Sequence, residues 1–540
     1  MSMIEPALER PRYANPPIAI LGVPFDNVTT SETIDAIQRM VESGKPHYLV
    51  TANVDFLVQA QEDVELRRIL FDAHLVLCDG TPLLWASQLL GNPLLERVAG
   101  ADLVPLLLRV AAEKGYRVFF LGATPESCAQ AVENLKKKHP ALIIADYYSP
   151  PFNKLLEMDH EEIKARILAA KPDLLFVSLG CPKQEKWIAM HYRSLGVPVS
   201  AGVGATIDFL AGTVKRAPVW MQRIGTEWIY RLAQEPRRLF KRYFKDLWVF
   251  GWKLLIQLWQ LQLRSRKRTR TSFVAHPNGA RSIAPRNGSG ATSGAMLRAP
   301  IRGEQAKIFS PEPDRASSRR LLQDDWQWLS LPDRLDLAAV RHDGLLADHI
   351  LIDGRHCLLE MDKVRFIDST GMGLLIRLQK KIHAGGGEMV LLAPSAAVRR
   401  ALALMQLQNF FAIAPDLAAA RELLAARARE QSSAVKLRGT TSQDALLWHG
   451  EITAANAQEV WNTTEPHLTS NPQRDLVIDL SGLRFIDSTG LGLMVRAKKL
   501  AQRERVKLEF VRPQPAVQNV IHLARLEELL VGKKETAVHA

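Results

Sequence analysis

Asp79, followed by Gly80 at the end of the apolar run HLVLC, carries the most pointed chemistry in this chain. A carboxylate at a strand end can take a proton from a substrate hydroxyl held within hydrogen-bond reach. It can also cap a helix starting at Thr81, and on spacing alone the cap is the better reading. Other polar and glycine residues recur where apolar runs end: Thr51 and Asn53, Gly122, 180–185 with Lys183 and Gln184, and 202–208 with Asp208. Such turns let backbone N–H groups approach a ligand, and helix N-termini there favour phosphate. Each is weak alone, since αβ turns carry glycine for geometry; together they point to a crevice for a phosphorylated ligand. No G-x-G-x-x-G and no G-x-x-x-x-G-K-[ST] occurs, which counts against dinucleotide oxidoreductases and P-loop NTPases. The first 260 residues also lack D-x-D, the acidic pair with which many nucleotide-sugar enzymes hold a divalent metal. Bound phosphate must therefore meet arginine.

The scaffold for these residues reads as α/β. Runs such as IAIL, HYLVTAN, HLVLCDG, YRVFFLG, ALIIADYY, DLLFVSLG and VPVSAGVGA alternate with helical patterns, as in a parallel sheet covered by helices on both faces. Ligands in such sheets bind beyond the carboxyl ends of the strands. From residue 216 the chain becomes basic and aromatic, with Arg216, Arg223, Arg231, Arg237, Arg238, Lys241, Arg242 and Lys245 among Trp220, Trp228, Tyr230, Tyr243 and Trp248. The next segment, LWVFGWKLLIQLWQLQL (247–263), holds one charge, and Lys253, Gln257 and Gln260 form a narrow polar stripe. A helix of this pattern is expected to lie in a membrane interface with its basic flanks drawn to anionic lipid. It is short for a span. The alternative is a helix buried against the enzyme or a second subunit.

The segments TANVDFL (51–57), DGTPLLWA (79–86), ERVAGADL (96–103), GCPKQEKW (180–187), GVGATIDFLAG (202–212) and RAPVWMQRIGTEWIYRLAQEPRRLFKRY (216–243) keep their order over about 18–245. Together they resemble the WecG/TagA/CpsF family of bacterial glycosyltransferases. The resemblance implies a Rossmann-like core and metal- and cofactor-independent, inverting transfer from a UDP-sugar to a polyprenyl-diphosphate-linked acceptor, with an appendage meeting the membrane. It maps Asp79 to the catalytic base. Thr51, Asn53, Arg97, Gly122, Lys183, Gln184 and Asp208 map to the substrate pocket, with Gln184 as a donor contact. Arg216, Arg231, Arg237 and Arg238 map to the phosphate and lipid-acceptor side, Arg231 and Arg238 closing over the departing diphosphate. Lys241 replaces an arginine of the family pattern and Thr226 a leucine, while Thr81-Pro82 stand beside the expected sugar pocket. The donor sugar stays open between a hexose and N-acetylmannosamine.

The 540-residue chain is long enough for several domains, and its net charge of +13 is unevenly spread. Between Arg264 and Arg320, thirteen Lys/Arg face three Asp/Glu in a Gly/Ser/Pro-rich stretch that reads as a disordered linker. A basic tether suits an anionic membrane or nucleic acid; the neighbouring helix favours the membrane, and nucleic acid is not expected as a partner. Four isolated cysteines suit a reducing cytoplasm, and the N-terminus carries no export pattern.

Beyond the linker the chain repeats itself. VRFIDSTGMGLLIR (364–377) returns as LRFIDSTGLGLMVR (483–496), 119 positions later, with ten of fourteen residues identical. Both copies resemble STAS domains, the fold of anti-sigma-factor antagonists. The resemblance places a kinase-modified serine at Ser369 and at Ser488. Each is expected to be exposed at a helix N-terminus, where added phosphate meets a favourable dipole but also the neighbouring Asp368 or Asp487. The alternative is a serine that only caps its helix in a docking module.

The expected organisation is a catalytic core (1–215), a basic helical appendage (216–263), a linker (264–320) and STAS-like modules at 321–430 and 436–533. The expected function is a peripheral membrane glycosyltransferase of cell-surface glycan synthesis on the cytoplasmic face. Its modules would bind a kinase or other STAS-binding protein, or a second copy of the chain. The rival reading is a signalling protein whose transferase-like domain is a non-catalytic sugar or lipid sensor.

Overall fold

Successive residues of the central strands point into two different cores. In β3 (His47–Ala52), Tyr48, Val50 and Ala52 enter one core and Leu49 the other. In β5 (Arg117–Gly122), Phe119 and Leu121 oppose Val118 and Phe120 in the same way. This period of two with both faces apolar is the signature of a sheet covered twice. The computed structural model describes residues 15–223, 226–259, 326–342, 356–431, 435–440, 443–469 and 475–530. The expected linker (264–320) and the far end of the interfacial helix lie outside them.

The other sheet strands are β4 (Leu75–Cys78), β6 (Ile143–Tyr148), β7 (Leu174–Ser178) and β8 (Val199–Gly202). Their order is β4-β3-β8-β7-β5-β6, and every neighbouring pair is parallel. The helices follow the strands: α1 (Thr30–Ser43), α2 (Val54–Gln59), α3 (Val64–Asp72), α4 (Thr81–Leu89), α5 (Gly100–Lys114), α6 (Pro125–Lys138), α7 (His160–Ala170), α8 (Lys183–Leu195) and α9 (Thr206–Ala211). The α/β reading of the sequence holds.

One strand sits elsewhere than expected. The run IAIL is β1 (Ile18–Ile20), paired antiparallel with β2 (Val23–Phe25) in a hairpin outside the six-stranded sheet. Its two-residue turn, Leu21-Gly22, has φ of 48° and 84°. Left-handed geometry at both turn positions suits a tight hairpin and prevents one continuous strand.

The appendage consists of α10 (Val219–Arg223), α11 (Glu227–Gln234) and α12 (Pro236–Leu258). Helix α12 buries Leu239, Asp246, Phe250, Leu254 and Gln257 along one side, with Phe250 and Leu254 joining the core beneath the sheet. Its opposite side exposes Phe240, Phe244, Leu247, Trp248, Trp252, Leu255 and Trp259. Lys253 and Gln257 of the polar stripe therefore face protein, while Gln260 lies outside the described residues. Gln257 accepts from the Leu21 N–H (2.9 Å) and donates to the Ala19 carbonyl (3.0 Å), and Lys253 donates to Gln61 (3.1 Å). No described helix is long and apolar enough to cross a membrane.

Each DSTG repeat opens a helix, Ser369–Ala384 and Ser488–Arg503, packed on its own four-stranded sheet. In both, the aspartate is the N-cap: Asp368 accepts from the Thr370 and Gly371 N–H groups, and Asp487 from those of Thr489 and Gly490. The serine is the first helical residue, so it is not the cap. Nor is it exposed. Ser369 and Ser488 are 1% and 6% accessible, because both repeats face the N-terminal domain.

Candidate active site

Strand β4 delivers Asp79 to the carboxyl edge of the sheet, where its N–H donates to the Ala52 carbonyl at 2.9 Å. The possibility that Asp79 merely caps α4 does not survive. Gly80 occupies the N-cap of that helix with no side-chain cap, and the Asp79 carboxylate instead accepts from the Gly100 N–H. Gly100 is the first residue of α5, so the carboxylate meets the positive end of a helix. Burial pushes the Asp79 carboxyl up to about 6, while the nearby Arg97 and Arg231 guanidinium groups pull against that rise. A carboxylate held this close to neutrality is ionised above about pH 6 and basic enough to accept a proton.

The neighbouring strand β3 supplies Thr51 and, just beyond it, Asn53. A β-carbon added at Gly100 would meet the Thr51 hydroxyl at 3.3 Å, and one at Gly80 would lie 3.8 Å from the Asn53 β-carbon. Thr51, Asn53, Asp79 and Gly100 thus share one small area. Asn53 caps α2, its side-chain oxygen accepting from the Asp55 (3.0 Å) and Phe56 (3.4 Å) N–H groups.

Four charged residues form a ring beside Asp79. Arg97 bonds Asp102 at 2.9 Å and lies 3.6 Å from Glu227; Arg216 bonds Asp102 at 2.6 Å and Glu227 at 3.3 Å. This ring ties α5 to α11, and so fixes the appendage to the core. Arg216, expected on the phosphate side, is committed here to two carboxylates, although its Nη2 is buried without a partner among the described residues. Arg231 lies 5.0 Å above the Phe209 ring. Arg237 is exposed in the first turn of α12, and the Arg238 side chain lies outside what is described. Asp102 and Glu227 were legible only as members of the motifs ERVAGADL and RIGTEWIY; no spacing rule singles them out.

The other residues expected in the pocket lie at or just beyond the ends of β5, β7 and β8. Gly122 has φ of 100°, and a β-carbon there would sit 2.3 Å from the Ser178 carbonyl, so only glycine fits. Gln184 is 3% accessible. Its side-chain oxygen accepts from the Gly180 (3.2 Å) and Gly204 (3.3 Å) N–H groups, and its amide donates to Glu185 (2.7 Å). It therefore staples the loops that follow β7 and β8. Beside it, burial pushes the Glu185 carboxyl up to about 7. Lys183 turns to the Asn153 carbonyl at 2.9 Å and the Phe152 ring at 5.0 Å. Asp208 stands in α9, its carbonyl accepting from Thr213.

Residues 18–264 match the model of the glycosyl transferase WecG/TagA/CpsF family. Residues 337–420 match the STAS domain, and 435–532 the Mlab-type STAS domain. The N-acetylglucosaminyldiphosphoundecaprenol N-acetyl-beta-D-mannosaminyltransferases of Staphylococcus aureus strains MW2 and NCTC 8325 are each 31% identical over 239 residues, spanning 44% of this chain and 91% of theirs. Among solved structures, the unphosphorylated anti-sigma factor antagonist SpoIIAA is 17% identical over 19% of this chain and 90% of its own, with a TM-score of 0.17. With an arginine-flanked carboxylate at the sheet edge and the staphylococcal relatives matched over nearly their whole length, the chain belongs to the WecG/TagA/CpsF family of glycosyltransferases, fused to two STAS domains.

Proposed function

We propose that this glycosyltransferase moves a sugar from a UDP-linked donor to a polyprenyl-diphosphate-linked acceptor, with inversion. Asp79 takes the proton of the acceptor hydroxyl as that oxygen attacks the anomeric carbon. The bond from the anomeric carbon to the UDP oxygen breaks on the opposite face, and UDP leaves. Arg231, with Arg237 and Arg238 on the same appendage, meets the charge growing on the diphosphate; preorganised cations of this kind contribute a few kcal/mol to a transition state. Thr51, Asn53 and Arg97 hold the sugars around Asp79, and the Gln184 staple shapes the loops around the donor. The observation that carries this reading is the Asp79 carboxylate, which does not cap α4, set at the sheet edge beside Arg97 and Arg231 with burial pushing it up to about 6.

The relatives' names point to N-acetylmannosamine as donor sugar and N-acetylglucosaminyl diphosphoundecaprenol as acceptor, and we carry both to this chain as first candidates. The exposed aromatic side of α12, with Arg237, Lys241 and Arg242 around it, supports attachment to the cytoplasmic face of the membrane, where a lipid-linked acceptor resides. The STAS domains act as regulatory modules on the enzyme. Purified full-length protein in detergent, given an N-acetylglucosaminyl polyprenyl diphosphate and a panel of UDP-sugars, should release UDP with N-acetylmannosamine or a hexose donor. Release with no donor in the panel would refute the reading.

A further inference from the structure

Both STAS domains rest on one nine-residue helix of the transferase, α3. Its Arg67 donates to the Gln406 carbonyl of the first module (3.5 Å), and Phe71 packs on Phe410 with ring centroids 5.0 Å apart. Its Arg68 pairs with Glu451 of the second module at 2.7 Å and lies 4.7 Å from the Phe485 ring. Its Glu65, 4% accessible, accepts from the Ser488 backbone N–H (2.6 Å) and from the Ser488 hydroxyl (2.7 Å). Because Asp487 serves Thr489 and Gly490, the Ser488 N–H is an orphan donor of its helix, and Glu65 satisfies it.

The charge around that contact is nearly closed. Lys186 on α8 reaches both Glu65 (2.8 Å) and Asp63 (2.7 Å), one cation for two carboxylates. Asp487 adds a third acidic group, and Arg68, the next cation, is shared among Glu451, Asp72 and Asp487. The first module contrasts with this. Ser369 accepts from the neutral Gln257 amide (2.9 Å), and a β-carbon at Gly373 would lie 2.7 Å from the Pro17 carbonyl.

We propose that Glu65 and Ser488 form an intramolecular latch, in which the transferase carboxylate occupies the anion position at the DSTG helix N-terminus that a phosphate on Ser488 would need. This deepens, and rests on, the regulatory reading of the STAS domains. A kinase transfers the γ-phosphoryl group of a nucleoside triphosphate to the Ser488 oxygen. The new O–P bond forms as the bond to the β-phosphate oxygen breaks, the nucleoside diphosphate leaves, and the serine proton passes to the kinase's base. Ser488 is reached only when the module is off α3, and the added charge then faces Glu65, Asp63 and Asp487, whose cations Lys186 and Arg68 are already shared among several carboxylates. Modification and docking exclude each other. Helix α3 lies in the connection from β3, which bears Thr51, to β4, which ends one residue before Asp79, so the latch grips the segment between those two site residues.

Hydrogen exchange of the full chain tests this, reading residues 64–72 and 488–503. Ser488→Glu should speed exchange in both segments about tenfold, as local opening does. Ser488→Ala, which keeps the N–H contact, should leave them protected. Glu65→Lys with Ser488→Glu should restore protection by charge exchange, which also excludes simple misfolding as the cause of opening. Unchanged exchange in Ser488→Glu, or failure of the double variant to recover, would overturn the latch. Because exchange is read without turnover, an absence of UDP release in every variant would remove the transferase reading while leaving the latch result intact.

Discussion

Trp248 and Trp252 are 72% and 61% accessible on the outer side of α12, with no core to fill. At roughly 200 Å² per tryptophan, the pair offers roughly 270 Å² of exposed ring to a bilayer. Burying about half of that in the headgroup boundary, at about 25 cal/mol per Å², gives about 3 kcal/mol of membrane affinity. Trp248→Ser with Trp252→Ser should therefore weaken binding to anionic vesicles by roughly two orders of magnitude. Sedimentation with vesicles rich in anionic lipid measures this directly. Exposed substitutions of this kind usually shift stability by no more than about 0.5 kcal/mol, so the melting temperature should hold. The same variant should lose turnover on a long-chain polyprenyl acceptor more than on a short soluble analogue. Unchanged sedimentation would show that the aromatic side of α12 does not meet lipid, and would move attachment to another part of the chain.

Acidity should act through Asp79. Its ionised form is the base, so kcat/KM should fall about tenfold per pH unit below about 6 and level off above it; a profile flat from pH 5 to 8 would remove Asp79 from that role. Gly122→Ala should cost about 2 kcal/mol or more of stability, since φ of 100° and the Ser178 carbonyl at 2.3 Å both exclude a β-carbon. Calorimetry would show a lower melting temperature, and an unchanged one would refute the close approach of β5 and β7.

The doubly covered sheet was open to reading because pairs such as Phe119 and Phe120 are both apolar while belonging to a strand-length run. The polar ends of those runs located Asp79, Thr51 and Asn53, since parallel strands bring their carboxyl ends to one edge. IAILGVPF was harder. Its hairpin depends on left-handed geometry at Leu21 as well as Gly22, and leucine gives no such signal. The stripe Lys253–Gln257 reads the same whether it faces water or protein, and only tertiary packing against Leu21, Ala19 and Gln61 decides it. Burial of Ser369 and Ser488 was equally hidden, because their partners Gln257 and Glu65 lie 112 and 423 residues away in sequence. The Arg97–Asp102–Arg216–Glu227 ring joins segments more than a hundred residues apart, and pairing among so many charged residues cannot be chosen without a fold.

Asp79→Asn keeps the shape of the side chain and an acceptor for the Gly100 N–H while removing the basic oxygen. Burial raises the Asp79 carboxyl above its unfolded value, so the folded protein holds that proton more tightly and the ionised group weakens the fold as pH rises through about 6. The variant should thus melt no lower than the parent protein at neutral pH. UDP release from the saturated enzyme is the decisive measurement. It should fall by about two to four orders of magnitude in Asp79→Asn, the usual contribution of a positioned base, while UDP-sugar affinity changes only a few-fold. Release within tenfold of the parent protein, with the fold intact, would contradict the account and place the base on another residue.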